Sequence, residues 1–437
     1  MCRASRNTTI GAVGRSVELH GAEVRVSICR REHYPRSVAV VTGADITYPG
    51  GFTTRIRSEL AILRKSGVEA DLLVVPEARH WPRVSCSRPL FELAGGLCRS
   101  VRVWLAPPHA NRVSLGGIRR AYLAARVRRW CRARGVRLVH LHGPDPGSLG
   151  AHLVGGGLEV LFEPHGILPE EQLMLGHTST IDLARDQDRR AAQGASRLLV
   201  VSSRMREHYH GTYGVPTECI HVLPSVVDLQ WAAAADSTDR MEARGALGLR
   251  GGPVLLYLGS LHAWQEIDTT ARLCAEVIRR RPDAQVLVLA GAPEQEIRGV
   301  FSAAGVPGRR MVVRGVPHKR VPELAIAADV GFLLRRPNVV NEVASPVKFA
   351  EYLALGIPVV TTPHVGDCGE IVHRHQVGLV TDPWKDANVG DNLDSLVTTV
   401  LADREGVRER CQAVAREQLS WQAGGLRLLD ALGIASP

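Results

Sequence analysis

The sequence predicts an α/β protein of two Rossmann-like parallel-sheet domains facing a cleft. Short runs of β-branched and aliphatic residues alternate with amphipathic segments of helical period along most of the chain, the pattern of repeated βα units. The alternation restarts after residue 230, and a chain of 437 residues is longer than one ordinary core supports. These observations divide the chain into a tail (1–36), a first domain (37–230) and a second domain (231–437).

Residues 1–36 are polar and basic without a clear period, apart from a short strand expected near 24–28. Order begins with SVAVVT at 37–42, a compact buried strand. A loop at 43–51 leads into an amphipathic helix at 52–65 with Ile56, Leu60 and Leu63 on one face, and a strand follows at 68–75. Gly50 and Gly51 lie between strand and helix, where bare backbone lets a ligand approach closely; a flexible turn is the other reading. The pair does not make GxGxxG, so it is no dinucleotide fingerprint.

From 76 to 114 the pattern blurs, with short helical pieces expected at 90–105. Residues 117–134 read as a basic amphipathic helix, with an apolar stripe of Leu123, Val127, Trp130 and Cys131 flanked by arginines. The interval between Glu92 and Asp145 has eleven arginines and no acid. Such a helix either docks on an anionic membrane surface or packs on a sheet with a solvated basic face. Strands at 137–141 and 158–162 run into His142-Gly143 and His165-Gly166, and strand ends in an open parallel sheet are where ligands bind. His140, His142 and His165 have no acidic or cysteine partner at ligand spacing, so no metal site is expected. A helix at 185–195 and a strand at 197–201 precede Ser202-Ser203-Arg204, where a helix opens and Arg204 can meet a phosphate.

In the second half a helix at 238–247 precedes a strand at 253–258 that ends in Gly259-Ser260. Further βα units follow, with strands at 285–290, 310–313 and 329–334, and helices at 392–401, 406–417 and 426–432 close the chain. The densest signal is SPVKFAEYLALGIPVVTT at 345–362. Ser345 is a suitable helix cap, Pro346 suits the first helical position, and Gly356 stops the helix before a short strand. Lys348 sits at the wrong end of the helix dipole unless an anion binds there. Glu351, one turn on, is placed to accept hydrogen bonds from sugar hydroxyls; the alternative is a plain Lys348–Glu351 pair.

SPxKxxEYLAxGxPVV, followed by Gly366-Asp367, resembles the donor-binding segment of GT4-like, retaining GT-B glycosyltransferases. The His-Gly strand ends, Ser202-Ser203-Arg204, the Pro224 to Asp228 crossing and Arg314-Gly315-Val316 fit the same family, strongly over 198–382. The resemblance implies that Glu351 contacts the nucleotide's ribose and that Ser345 to Lys348 face its diphosphate. It implies that His165 faces the transferred sugar, that Gly50-Gly51 and Arg204 lie near phosphate or acceptor, and that the loop of Arg314 and Val316 reads the nucleobase. It also implies a last helix that crosses back to the first domain. Two departures stand out. The family's two glutamates are separated by seven residues, and counting back from Glu351 reaches Val343; Glu342, one place off, is the candidate catalytic acid beside His165. The family's Gly-Arg with a following lysine is replaced by GSLHAWQEID, so Ser260 and Gln265 take that place and the charge falls to Lys348 and Arg335.

The function implied is transfer of a sugar from a nucleoside-diphosphate sugar to a glycan, lipid-linked or small-molecule acceptor, with retention and without metal or other cofactor. Alternatives are a nucleotide-sugar epimerase on the same fold and a non-catalytic, degenerate transferase. Composition agrees with a globular protein, at 45% hydrophobic and 22% charged residues. No apolar run would span a bilayer, no signal-peptide core is present, and nine scattered cysteines fit a reducing cytoplasm; peripheral contact with the membrane's inner face is the expectation that the basic helix at 117–134 adds. The net charge of +10 rests on fifty arginines against four lysines, which reads as GC-rich coding; no nucleic-acid partner is expected.

Overall fold

The computed structural model describes residues 36–43, 50–76, 96–104, 113–235 and 238–434. The expected tail, its short strand and the helical pieces before residue 96 lie outside them.

Seven parallel strands form the first sheet: β1 (Ser37–Thr42), β2 (Glu69–Val74), β3 (Ser100–Val103), β4 (Leu138–His142), β5 (Glu159–Glu163), β6 (Arg197–Val200) and β7 (Ile220–Val222). Their order is β3-β2-β1-β4-β5-β6-β7. The order reverses between β1 and β4, where Thr42, His142 and Glu163 pair side by side at the carboxyl ends of three strands. The second sheet contains β8 (Val254–Gly259), β9 (Gln285–Ala290), β10 (Met311–Arg314), β11 (Val330–Leu333), β12 (Val359–Thr361) and β13 (Gly378–Val380). Its order, β10-β9-β8-β11-β12-β13, reverses between β8 and β11. These are two Rossmann-like parallel-sheet domains. The central strands are buried on both faces, which is why they read as continuous apolar runs.

Two expectations are corrected. Residues 100–103 form edge strand β3 and not a helical piece; four residues are too few to show a period. The stripe of Leu123, Val127 and Cys131 on helix Val113–Ala133 is at most 2% exposed and packs on the first sheet with Trp130. Freeing each such side chain costs about 1.5–3 kcal/mol, more than the roughly 1 kcal/mol a basic residue gains at an anionic surface. The stripe is therefore core and does not insert into lipid. Arg119 and Arg120 are also buried, paired with Asp145 (2.8 Å) and Asp186 (3.8 Å). The outward residues of this helix include Ile118 and Tyr122, and Arg126 lies over the Trp104 ring at 4.4 Å.

The chain crosses between sheets at Val227 and returns at Ser420; Val227 N–H donates to Leu419 O (2.8 Å) and Trp421 N–H to Val227 O (3.2 Å). The last helix, Trp421–Leu432, then packs Leu428, Leu429 and Leu432 into the first-half core with Ile56 and Leu60. Gly425 permits that approach, because a Cβ there would stand 3.0 Å from Ile62 Cδ1. In the second half Asp329, fully buried, gathers Arg240 (2.6 Å), Arg244 (2.6 Å), Arg404 and the Val254 N–H (2.8 Å).

Candidate active site

The second-half site is built around helix Val347–Ala354. Phe349, Ala350, Leu353 and Ala354 turn into the core, which fixes the helix and leaves its amino end at the ends of β8 and β11. Pro346 takes the cap position in extended backbone, without a side-chain cap. The expected capping role of Ser345 is corrected: its Oγ instead accepts the Ser225 N–H at 2.9 Å, tying the two halves together. Ser202 Oγ donates to Val343 O (2.7 Å), and Asp367 accepts the Ser203 N–H (2.8 Å), so this turn is pinned from the first half.

Lys348 is half-buried and runs against bare backbone at Gly259, where a Cβ would meet its Cε at 3.5 Å. It forms no ion pair among the described residues, and the alternative Lys348–Glu351 pair is absent: the Glu351 carboxylate accepts from His318 Nε2 at 2.7 Å. Burial lowers the Lys348 ammonium pKa; Glu351 opposes this and Arg335 adds to it. Arg335, only 4% exposed, donates Nη1–H to Leu334 O, and burial lowers its pKa. A half-buried and a buried cation thus lie close enough to repel each other beside the amino end of a helix, a ready anion site. His318 is itself held: Trp231 stacks on it at 4.9 Å and 12°, and donates Nε1–H to its carbonyl (3.0 Å).

The first-half site lies at the β1/β4 reversal. His165 has φ 67, unusual for a side-chain-bearing residue, and its ring packs on Phe52 at 4.3 Å, directly after Gly50 and Gly51. Neither glycine has an atom within 4 Å of a would-be Cβ, so the loop presents bare backbone there. Behind His165 lie His142, His140, Glu163, Glu59 and Arg55, all buried. Burial pushes His165 down to about 4 and His142 well below the usual histidine value, so both rings are neutral.

Residues 50–225 match the family described as Glycosyl transferase 4-like domain, and residues 252–399 match Glycosyl transferases group 1; together they cover well over half the chain. The chain is a GT4-like GT-B glycosyltransferase. It is 22% identical to an alpha-D-kanosaminyltransferase of Streptomyces kanamyceticus, over 77% of this chain and 83% of that one. It is 28% identical to a GDP-mannose-dependent alpha-(1-6)-phosphatidylinositol monomannoside mannosyltransferase of Mycolicibacterium smegmatis, over 58% of this chain and 66% of that one. Its fold is that of Anabaena HepE, crystallised with UDP, at TM-score 0.65 and 18% identity, covering 91% of this chain and 99% of that one.

Within this glycosyltransferase the remaining predicted residues scatter. Ser260 accepts the Tyr257 hydroxyl through its carbonyl (2.6 Å), and Gln265 is buried in the short turn after it. Arg314 is exposed and donates to Val313 O (2.8 Å), while Val316 is half-buried in the following loop. Arg204 is exposed on helix Ser203–Tyr213. Glu342 lies 3.5 Å from His364, and it is neighbouring Asn341 that turns inward. A cavity of about 290 Å³ between the halves, lined by Arg206, Phe349, Glu370, Arg374 and Arg427 among others, includes none of His165, Arg335, Lys348 or Glu351. The pinned turn itself lines it through Ser203, Ser345 and Asp367, and it is not the candidate site.

Sequence reasoning missed Arg55, Glu59 and Glu163. It rejected a metal at the histidines for want of an acidic partner, yet Glu59 and Glu163 stand among them, with donor atoms within 4.8 Å of one another. Arg55 and Glu59 carry a usable signal: they flank Ile56 and Leu60 on the inward face of helix Gly51–Lys65.

Proposed function

We propose that this glycosyltransferase moves a sugar from a nucleoside-diphosphate sugar to a glycan, lipid-linked or small-molecule acceptor, with retention and without a metal. The observation that carries this reading is Lys348 in the first turn of helix Val347–Ala354, against the bare backbone of Gly259 and close enough to buried Arg335 to be repelled by it, with neither cation in an ion pair among the described residues. This arrangement replaces the absent Gly-Arg and lysine of the family pattern. A diphosphate is the anion that matches two cations and a helix amino end. In a front-face reaction the departing diphosphate takes the acceptor proton, so the protein's main work is to stabilise that leaving group. Glu351, steadied by His318, accepts from the ribose.

The donor class is supported by names alone: one relative is GDP-mannose-dependent, and HepE was crystallised with UDP. A lipid-linked acceptor is supported by the phosphatidylinositol glycolipid in the mycobacterial relative's name and by the exposed Ile118 and Tyr122 on the arginine-rich helix. We expect the reaction to occur in the cytoplasm, at the membrane's inner face when the acceptor is lipid-linked. The test is incubation of the purified protein with UDP-, GDP- and dTDP-sugars, with and without acceptors. Acceptor-dependent release of nucleoside diphosphate supports transfer. A changed sugar still attached to its nucleotide establishes an epimerase instead, and absence of any nucleotide binding establishes a degenerate protein.

A further inference from the structure

Six side chains meet behind the β1/β4 reversal, and Arg55 faces two carboxylates at once. Its Nε donates to Glu59 Oε1 (3.1 Å) and to Glu163 Oε1, and its terminal nitrogens donate to the carbonyls of Leu223 and Pro224 (both 3.2 Å). Glu163 Oε2 accepts from His140 Nε2 at 2.9 Å. Among the described residues, three buried atoms of this cluster have no hydrogen-bond partner: Glu59 Oε2, His140 Nδ1 and His142 Nε2. Glu59 Oε2 lies 3.4 Å from His142 Nε2 and 3.9 Å from His140 Nδ1. On the far side of its ring, His142 Nδ1 is 3.0 Å from His165 Nε2.

We infer that Glu59 is a neutral carboxylic acid whose proton points at His142 Nε2, and that it acts through His142 as a positioning residue for His165. One guanidinium balances one ionised carboxylate, and a second would be an uncompensated charge at 1% exposure. Glu163 is the ionised partner: burial opposes this, but Arg55 and the His140 hydrogen bond hold its carboxyl well below the usual range. Burial, reinforced by Glu163, pushes Glu59 the other way against Arg55.

The shorter contact of Glu59 Oε2, 3.4 Å to His142 against 3.9 Å to His140, and the carboxylate facing His165 Nδ1 at 3.6 Å select one proton placement. Glu59 Oε1 accepts from Arg55, so the acid proton sits on Oε2 and is donated to His142 Nε2. His142 carries its proton on Nδ1 and donates to His165 Nε2. His165 carries its own on Nδ1, facing Glu163 Oε1 at 3.6 Å. The chain thereby fixes both the tautomer and the ring orientation of His165, whose backbone is held at φ 67. A metal ion in place of the proton is disfavoured, because Arg55 already sets a positive charge on both carboxylates. That His165 faces the sugar rests on the proposed function; the protonation pattern does not.

The test uses the whole protein without substrate. In wild type, ¹⁵N spectroscopy is expected to show His165 protonated on Nδ1 alone, and infrared spectra a protonated-carboxyl C=O band that Glu59→Gln removes. Glu59→Gln keeps a neutral donor for His142 and an oxygen for Arg55, so it keeps the His165 signature. Glu59→Leu keeps neither, and the His165 tautomers become mixed. If Glu59→Leu fails to fold, the wild-type and Glu59→Gln spectra still decide. The inference is overturned if no protonated-carboxyl band belongs to Glu59. It is equally overturned if Glu59→Gln mixes the tautomers, or if purified wild type holds one zinc that Glu59→Gln loses. None of these readouts requires turnover, so they stand or fall separately from the sugar-transfer reading.

Discussion

Replacing Lys348 with alanine should weaken nucleoside-diphosphate binding without destabilising the donor-free protein. Lys348 is held against Gly259 with no ion pair among the described residues, and its charged neighbours there are Arg335, which repels it, and Glu351, which already accepts from His318. Loss of one charge-assisted hydrogen bond is worth about 1.5–3 kcal/mol. At about 1.4 kcal/mol per decade, that weakens binding roughly 10- to 150-fold. Stability should move the other way or not at all, because the substitution removes a cation whose burial is unfavourable. The same shift sets a pH signature. The folded-state pKa of Lys348 lies below the usual lysine value of 10.5. Between those two values the unfolded chain binds more protons than the folded one, so the Lys348 contribution makes donor-free stability rise with pH there. Donor affinity falls over the same window as the ammonium loses its proton. Calorimetric titration with UDP and GDP, alongside thermal unfolding of wild type and Lys348→Ala, reads both quantities. Unchanged diphosphate affinity in a folded variant, or a melting temperature lowered by several degrees, would refute the reasoning.

Three further outcomes are expected. Glu351→Gln should lose about 1.5–3 kcal/mol of nucleotide affinity with stability nearly intact; a double-mutant cycle with Lys348→Ala in nucleotide-free protein should show only weak coupling, and strong coupling would restore the plain ion-pair reading. Asp329→Asn should destabilise by about 3–5 kcal/mol, because it leaves Arg240, Arg244 and Arg404 without their shared anion; an unchanged unfolding midpoint would show that hub to be dispensable. Flotation with anionic vesicles should show binding that salt abolishes and that Ile118→Ser with Tyr122→Ser weakens, whereas equal absence of binding to anionic and neutral vesicles would point to a soluble acceptor.

The strands and the organising helix were legible because both are written in short-range pattern. Continuous apolar runs such as Val38–Val41 mark strands buried on both faces, and the Lys348-to-Gly356 spacing carries a helix with its stop. What was not legible depends on partners far away in sequence. Arg119 and Arg120 resemble solvated surface charges until Asp145 and Asp186 are brought to them by the packing of the following helices. Glu59 and Arg55 resemble a surface i,i+4 pair, although their placement beside Ile56 and Leu60 puts them on the inward face. Ser345 has ideal cap chemistry, but the Ser225 N–H across the domain crossing takes its hydroxyl, and a local rule has no means of anticipating that competitor.

The most direct test of the account is the fate of donor and product in one reaction. The purified protein is incubated with an α-linked nucleoside-diphosphate sugar and acceptor, nucleoside diphosphate is quantified by chromatography, and the new linkage is read from its anomeric proton coupling. The account predicts nucleoside diphosphate in step with glycosylated acceptor, an α-linkage in the product, and a rate that chelators leave unchanged and Lys348→Ala with Arg335→Ala abolishes. A β-linked product, or full turnover in the doubly substituted protein, would contradict it.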